Sequence, residues 1–282
     1  MTYLITGATG DIGSRVVENL INQGERPRVF VRDPNKAYDQ FGDRVDIYIG
    51  NLANKVSLMS ALDDVDVLFL VSTGQDIPKL DKIAAEAAQS TNVRHLVKLS
   101  SIDARQGYGT GVWHALGEAA IRESGIGHTF VQPSGFMSNA LGWADSIKSQ
   151  GSVRSCTGNG KIAFIHPDDV AAVVTQVLAP KNYFGEMLPI TGPETLSYEE
   201  MVSKIGNAIG RLLKFVPITR EEARQQMVKG GAKLTDIEAH LSLWDAIREG
   251  HATIVTNEVQ KVLRRAPMAF DQWAAENAGA FR

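Results

Sequence analysis

One stretch constrains this chain more than any other. Residues 2–6 (TYLIT) form a short apolar run that empties directly into Gly7-Ala8-Thr9-Gly10-Asp11-Ile12-Gly13, and a helical pattern begins at Ser14 with Val16, Val17, Leu20 and Ile21 on its apolar stripe. Glycine is required where the chain leaves a strand sharply, where a backbone must approach a bound phosphate, and where a helix packs close to a strand. A helix starting there points its free N–H groups and its positive dipole end at an anion. A second apolar run, Pro27 to Val31, completes a strand–turn–helix–strand unit. In that context the glycines read as a dinucleotide cradle, with Gly7, Thr9, Gly10, Asp11, Ile12 and Gly13 around the pyrophosphate.

Beyond the cradle, apolar runs alternate with amphipathic stretches. Strands are expected at Arg28 to Val31, Val45 to Ile49, Val67 to Val71, His95 to Leu99 and Thr129 to Gln132, with helices near Asn54 to Leu62, Pro78 to Ser90 and Val112 to Ser124. Strict alternation of this kind implies a parallel sheet covered on both faces. The fold class is therefore α/β, a Rossmann doubly wound parallel sheet with a smaller, mostly helical C-terminal substrate-binding part. The expected division is residues 1–155 and 156–282, with the chain re-entering the first part near 160–180. Ligands of such sheets bind at the carboxyl ends of the strands, so the residues just after each strand are the ones to inspect.

The later segments give further expectations. A helix is expected over Met137 to Lys148, then a polar glycine-containing stretch from Gly151 to Lys161, and a strand at Ile162 to Ile165. A helix opens at Pro167-Asp168-Asp169 with Asp168 as its cap. Met187 to Thr191 reads as a strand, and Ser197 with Glu200 has capping-box spacing. Lys214 to Val216 reads as a strand, helices are expected near Arg220 to Val228, Leu234 to Arg248 and Phe270 to Ala280, and Gly230-Gly231 reads as a hinge.

Charge and cysteine content narrow the partners. The net charge is −3, and lysines and arginines form neither a stripe nor a run, so nucleic acid is not an expected partner. Cys156 is the only cysteine, which forbids an internal disulfide and suits a reducing compartment. No apolar stretch is long enough to span a bilayer. With a strand already at residue 2, no signal peptide is expected, and the localisation reads as cytoplasmic.

The spacing GATGDIG is GxxGxxG, which resembles the short-chain dehydrogenase/reductase superfamily. Further segments sharpen the likeness: Val31-Arg32-Asp33-Pro34 after the second strand, Ser100-Ser101 after a later one, and Gly125-Ile126 followed by Thr129 to Pro133. Gly160-Lys161-Ile162 before Asp168-Asp169-Val170-Ala171, and Leu196-Ser197-Tyr198, complete the set. Together they resemble the NmrA-like family of atypical short-chain dehydrogenases, most closely its bacterial NADPH:quinone oxidoreductases and triphenylmethane-dye reductases. The resemblance implies an NADPH-dependent reductase acting on a small aromatic or quinone-like molecule.

Cofactor preference is read after the second strand. An acidic side chain there accepts from a free ribose 2′-hydroxyl, whereas arginine favours a 2′-phosphate through charge-assisted bonds. The chain carries Arg32, then Asp33, with Lys36 nearby, and the resemblance puts Arg32 in the phosphate-reading place. NADPH is therefore the expected cofactor. Ser72 and Thr73, with Gly74, are expected along the cofactor trough. Asn51 stands where relatives often have Asp.

The usual Tyr-x-x-x-Lys acid of the superfamily is missing: Tyr108 is followed four residues later by Val112. His114 instead stands thirteen residues after Ser101, and Glu118 follows four later on the same helix face. Ser101, His114 and Glu118 are thus the candidate catalytic set. A carboxylate beside the histidine is expected to favour its charged form and orient the ring, or to accept from ribose hydroxyls. By resemblance Pro133 and Phe136 shape the nicotinamide pocket, while Asn139, Met137 and Trp143 are candidates to meet substrate. His166, Asp168 and Asp169 group together, but Pro167 and a helix start explain them, and no metal is expected. Two other readings stay open: a non-catalytic NAD(P)-binding redox-sensing regulator, and a biosynthetic reductase of a polyketide-type substrate.

Overall fold

A computed structural model describes residues 1–179 and 183–282. The strands are β1 (Tyr3–Thr6), β2 (Arg28–Val31), β3 (Asp46–Ile49), β4 (Val67–Leu70), β5 (His95–Leu99), β6 (His128–Pro133), β7 (Ser152–Ser155), β8 (Lys161–Ile162), β9 (Met187–Ile190), β10 (Leu196–Ser197) and β11 (Lys214–Pro217). Seven of them form one sheet in the order β3-β2-β1-β4-β5-β6-β9. The pairings from β3 across to β6 are all parallel. The order runs outward from β1 in both directions, which makes the doubly wound sheet expected from the alternation.

The helices between the first six strands are α1 (Asp11–Asn22), α2 (Pro34–Phe41), α3 (Lys55–Leu62), α4 (Ile77–Ser90) and α5 (Gly111–Glu123). β4, VLFL, is buried along its whole length, as a central parallel strand must be. α1 buries Ile12, Val16, Val17 and Leu20 along one stripe and leaves its other face polar. The sequence pattern gives no expectation for α2. Only Ala37 and Phe41 of it are buried, too few for a periodic signal, yet Asp33 caps it and Pro34 takes its first turn.

The chain clusters into two compact units, Met1–Arg105 with Gly111–Gln132 and Val170–Pro189, and Gln106–Thr110 with Pro133–Asp169 and Ile190–Arg282. The first has its apolar core between the sheet and α3, α4 and α5, from Leu4, Leu58, Leu62, Leu68, Leu70, Ile121 and Phe130 among others. Each such side chain contributes about 1.5–3 kcal/mol on burial.

The second unit departs more from its sequence pattern. The helix expected over Met137 to Lys148 is a 3₁₀ helix, Met137–Trp143, followed by α6 (Ala144–Gln150). The polar glycine-containing stretch contains β7, paired in parallel with β11. The strand expected at Ile162 to Ile165 shrinks to β8, which pairs antiparallel with β10, and Ile165 makes one bridge to Phe136. α7 (Pro167–Val177) begins one residue before Asp168, which therefore lies within its first turn rather than at the cap position, and the backbone N–H of Asp168 donates to His166 Nδ1 at 3.1 Å. The Ser197–Glu200 capping box at α8 (Tyr198–Ile209) is present in both directions. α9 (Arg220–Lys229), α10 (Leu234–Arg248), α11 (Glu258–Leu263) and α12 (Phe270–Glu276) complete the unit. Its core gathers Ile147, Phe164, Met201, Ile205, Phe270, Trp273 and Phe281.

Candidate active site

The glycine turn has the geometry of an open cradle. Gly7 has φ +61°, and a Cβ there would meet Val71 Cβ at 2.9 Å. A Cβ on Gly13 would lie 2.1 Å from Gly7 O, so only glycine lets α1 approach the turn this closely. Gly10 precedes the helix, donates its N–H to Gly7 O at 2.9 Å, and supplies no side-chain cap. The N-terminus of α1, uncapped by Gly10, is where an external anion would be received. Gly7, Gly10 and Asp11 are exposed, Thr9 is half-buried, and Ile12 and Gly13 are buried. These residues fit a bound pyrophosphate: the turn is open where phosphate oxygens need backbone N–H groups, and closed where the helix meets the strand.

At the end of β2 two opposite charges are separated by what they do. Asp33 Oδ1 accepts from the N–H groups of Asn35 and Lys36 at 3.0 and 3.3 Å, so its carboxylate is turned onto α2. Arg32 and Lys36 are exposed at the same strand end. Ser72 does not open its hydroxyl to a trough: it is buried and donates to Asp81 Oδ1 at 2.6 Å. Thr73 and Gly74 beside it are exposed.

The carboxyl ends of β5 and β6 carry a buried polar cluster. Glu118 is 3% exposed, and both its oxygens are taken. Oε1 accepts from Ser100 Oγ at 2.6 Å and from Gln132 Nε2 at 2.8 Å, while Oε2 accepts from Arg122 Nη2 at 3.0 Å. Gln132 Oε1 in turn accepts from Arg105 Nε at 2.9 Å. The serine that Glu118 engages is thus Ser100. Ser101 is joined to Asp103 instead: its Oγ donates to Asp103 Oδ2 at 3.2 Å and accepts the Asp103 N–H at 3.2 Å.

His114 differs from its sequence expectation. Its ring is half-buried, its Nδ1 is buried without a hydrogen-bond partner, and no bond joins it to Glu118 among the described residues. Burial first, and the positive charge of Lys98 second, push its pKa down to about 3. The ring is neutral at physiological pH rather than charged by a carboxylate. Lys98, in the middle of β5, is wholly buried and pairs with Asp81 of α4 at 2.6 Å. Burial lowers the Lys98 pKa, and Asp81 opposes that shift. The pair is accommodated by Gly117 of α5, where a Cβ would meet Asp81 Oδ2 at 2.0 Å. Lys98, Asp81, Gln132 and Asp103 escaped the sequence reading. A lysine inside the apolar strand HLVKL was the signal that could have exposed the first of them.

The remaining candidates lie in the second unit. Pro133 and Ser134 are buried, and the Ser134 N–H donates to Ile190 O at 3.0 Å. Phe136 is half-buried and Asn139 is exposed. Met137, expected to meet substrate, is 1% exposed and belongs to the core with Phe164 and Ile205. Trp143 packs against the same core, its ring 5.1 Å from that of Tyr198. In the His166 group, the ligand atoms of His166, Asp168 and Glu276 lie within 4.8 Å of one another. Nδ1 of His166 accepts the Asp168 N–H at 3.1 Å, and Nε2 lies 3.1 Å from Glu276 Oε2.

A family model described as NAD(P)H-binding matches residues 7–181. The chain is 34% identical over 283 aligned residues to the (4-alkanoyl-5-oxo-2,5-dihydrofuran-3-yl)methyl phosphate reductase of Streptomyces griseus, covering 99% of this chain and 98% of the relative. It is 33% identical to the NAD(P)H azoreductase of Xenophilus azovorans, again over 99% and 98%. Among solved structures, an NADPH-dependent quinone oxidoreductase of Escherichia coli superposes with a TM-score of 0.87 at 20% identity, covering 98% of this chain and 99% of that one. Among the described residues no helix is long and apolar enough to cross a membrane. The open cradle at Gly7 to Gly13 and the relatives matched along nearly their whole length agree: the chain belongs to the NAD(P)H-binding family and is an NAD(P)H-dependent oxidoreductase.

Proposed function

We propose that the chain reduces a planar conjugated acceptor of the quinone type at the expense of NADPH. The observation that carries this reading is the make-up of the strand-end cluster. Where the superfamily places a tyrosine activated by lysine, this chain has a neutral His114, and Glu118 has both oxygens committed to Ser100, Gln132 and Arg122. A site without that strong acid suits acceptors that take a hydride before they take a proton. Positioning then supplies most of the rate, because the acceptor ring must stack on the cofactor. The relatives' named substrates support the class: an azo compound, a quinone and an acyl-substituted dihydrofuranone are all conjugated.

When bound, NADPH supplies the hydride. The residues that would hold it are Gly7, Gly10 and Gly13 with the N-terminus of α1, and Arg32 at the ribose phosphate. Asp33 leaves that position to Arg32 because its own carboxylate caps α2. Ser101 is the hydroxyl offered to the acceptor oxygen, and α5 contributes the neutral imidazole of His114.

The test is steady-state NADPH oxidation under anaerobic conditions with quinones, azo dyes and aromatic ketones. Saturable turnover is expected for the quinones and azo dyes and not for unactivated ketones. Ketone reduction matching quinone reduction would reject the reading, since unactivated ketones need a proton delivered as the hydride arrives, from the tyrosine–lysine pair that this chain does not have.

A further inference from the structure

We propose that Asp103 is the proton-holding residue behind Ser101, passing a proton through the Ser101 hydroxyl to the oxygen of the reduced acceptor. The inference rests on the quinone-reductase reading above.

The geometry is reciprocal. Ser101 Oγ donates to Asp103 Oδ2 and accepts the Asp103 backbone N–H, both at 3.2 Å, so the hydroxyl has its second lone pair and its own proton to exchange with one carboxyl oxygen. Ionised, Asp103 draws the serine proton toward itself. Protonated, it donates to Oγ and frees the serine proton to point at a ligand. The backbone and Cβ of Asp103 pack against the start of α5: a Cβ on Gly111 would lie 2.3 Å from the Asp103 carbonyl oxygen and 2.8 Å from Asp103 Cβ, so glycine there permits the close approach.

Burial raises the Asp103 pKa to about 6, partly offset by the Ser101 hydrogen bond. No charged neighbour adds to this shift. Arg105, two residues on, is bound to Gln132. On α5, His114 is neutral and Glu118 is held by Ser100, Gln132 and Arg122. On β5, Lys98 is paired with Asp81. A carboxylic acid that titrates close to neutrality is suited to proton transfer at physiological pH.

The step balances. The acceptor has taken a hydride and bears an oxygen anion; that oxygen forms a bond to the proton leaving Ser101 Oγ. Oγ takes the proton of Asp103, and the Asp103 carboxylate is reprotonated by water. The net change is one NADPH and one proton consumed for each two-electron reduction.

Two measurements test it. Carboxyl ¹³C NMR of the protein without cofactor, with Asp103→Asn identifying the resonance, should give a midpoint near 6 that rises in Ser101→Ala. Turnover is then compared between a quinone, which needs hydride and proton, and a cationic triarylmethane dye, which needs hydride alone. Asp103→Asn should lower the quinone-to-dye ratio of kcat at least ~10-fold, within the range for general acid catalysis, and remove the pH dependence near 6. Ser101→Ala should lower the same ratio, and the double variant no further. An Asp103 resonance that does not titrate between pH 5 and 7 would overturn the proposal. So would equal loss with both acceptors, which is what a merely structural residue gives, or an unchanged quinone rate. Absence of turnover by the unaltered protein with either acceptor rejects the quinone-reductase reading itself and the relay with it, whatever the resonance does.

Discussion

Lys98 Nζ stands 2.6 Å from Asp81 Oδ2, and neither side chain has any exposed surface. Ser72 closes the group, donating to Asp81 Oδ1 and accepting from Lys98 at 3.3 Å. This ion pair ties β5 to α4 just below the strand end that carries Ser100 and Ser101, and its positive member helps keep His114 neutral. Removing one partner strands a buried charge. Lys98→Met or Asp81→Leu alone is expected to cost about 3–5 kcal/mol, whereas the double substitution recovers much of the loss. Urea unfolding of the three variants measures this. Additive losses would show that the pair is not coupled.

Under the proposed function, Arg32 is the residue that discriminates between the cofactors. Arg32→Ala should weaken NADPH by roughly 10- to 100-fold, the worth of charged hydrogen bonds to a phosphate, and NADH by much less. A binding titration with each cofactor decides it. Equal weakening of both would remove Arg32 from the ribose phosphate.

Stability should fall in mild acid through His95. The ring is wholly buried against Phe184, Nε2 lies 2.8 Å from Thr129 Oγ1, and burial, with His128 second, pushes its pKa down to about 4 from 6.5. The unfolded chain binds a proton at this site below pH 6.5 while the folded chain does not, so stability declines as pH falls from 6.5 towards 4 and the slope from this group vanishes below that. The loss is on the order of 3 kcal/mol at most. Denaturant midpoints between pH 7 and 4 should show a shallower decline in His95→Gln than in the unaltered chain.

Gly13→Ala tests the cradle. Its Cβ would sit 2.1 Å from Gly7 O, a backbone atom that cannot swing away. The overlap should cost roughly 1–3 kcal/mol of stability and displace α1 from the turn. Thermal melting and an NADPH titration should both register the change. Normal binding with normal stability would show that the turn tolerates a side chain.

The alternation of strands and helices in the main sheet was legible because each strand from β1 to β6 is a short, largely apolar run. α2 was not, since Ala37 and Phe41 alone carry its buried face, and neither was β7, whose partners in β11 lie 62 residues away in sequence and leave no local trace. At the site, spacing singled out Ser101, His114 and Glu118. It could not say that Glu118 turns to Ser100 and Gln132 rather than to the histidine, because residues one helical turn apart share a face without sharing a partner. Met137 was misplaced for a related reason: a large apolar side chain after a strand end looks the same whether it meets substrate or core. Asp103 was invisible because its significance comes from burial, which a polar loop does not advertise.

Hydride transfer from NADPH to a planar acceptor, the proposed activity, can be watched in a single turnover. The preformed NADPH complex is mixed anaerobically with one equivalent of a quinone in a stopped-flow instrument. One NADPH should be oxidised per quinone consumed, at a rate well above the protein-free mixture. Bound NADPH that persists at the protein-free rate with every quinone and azo dye tried would contradict it.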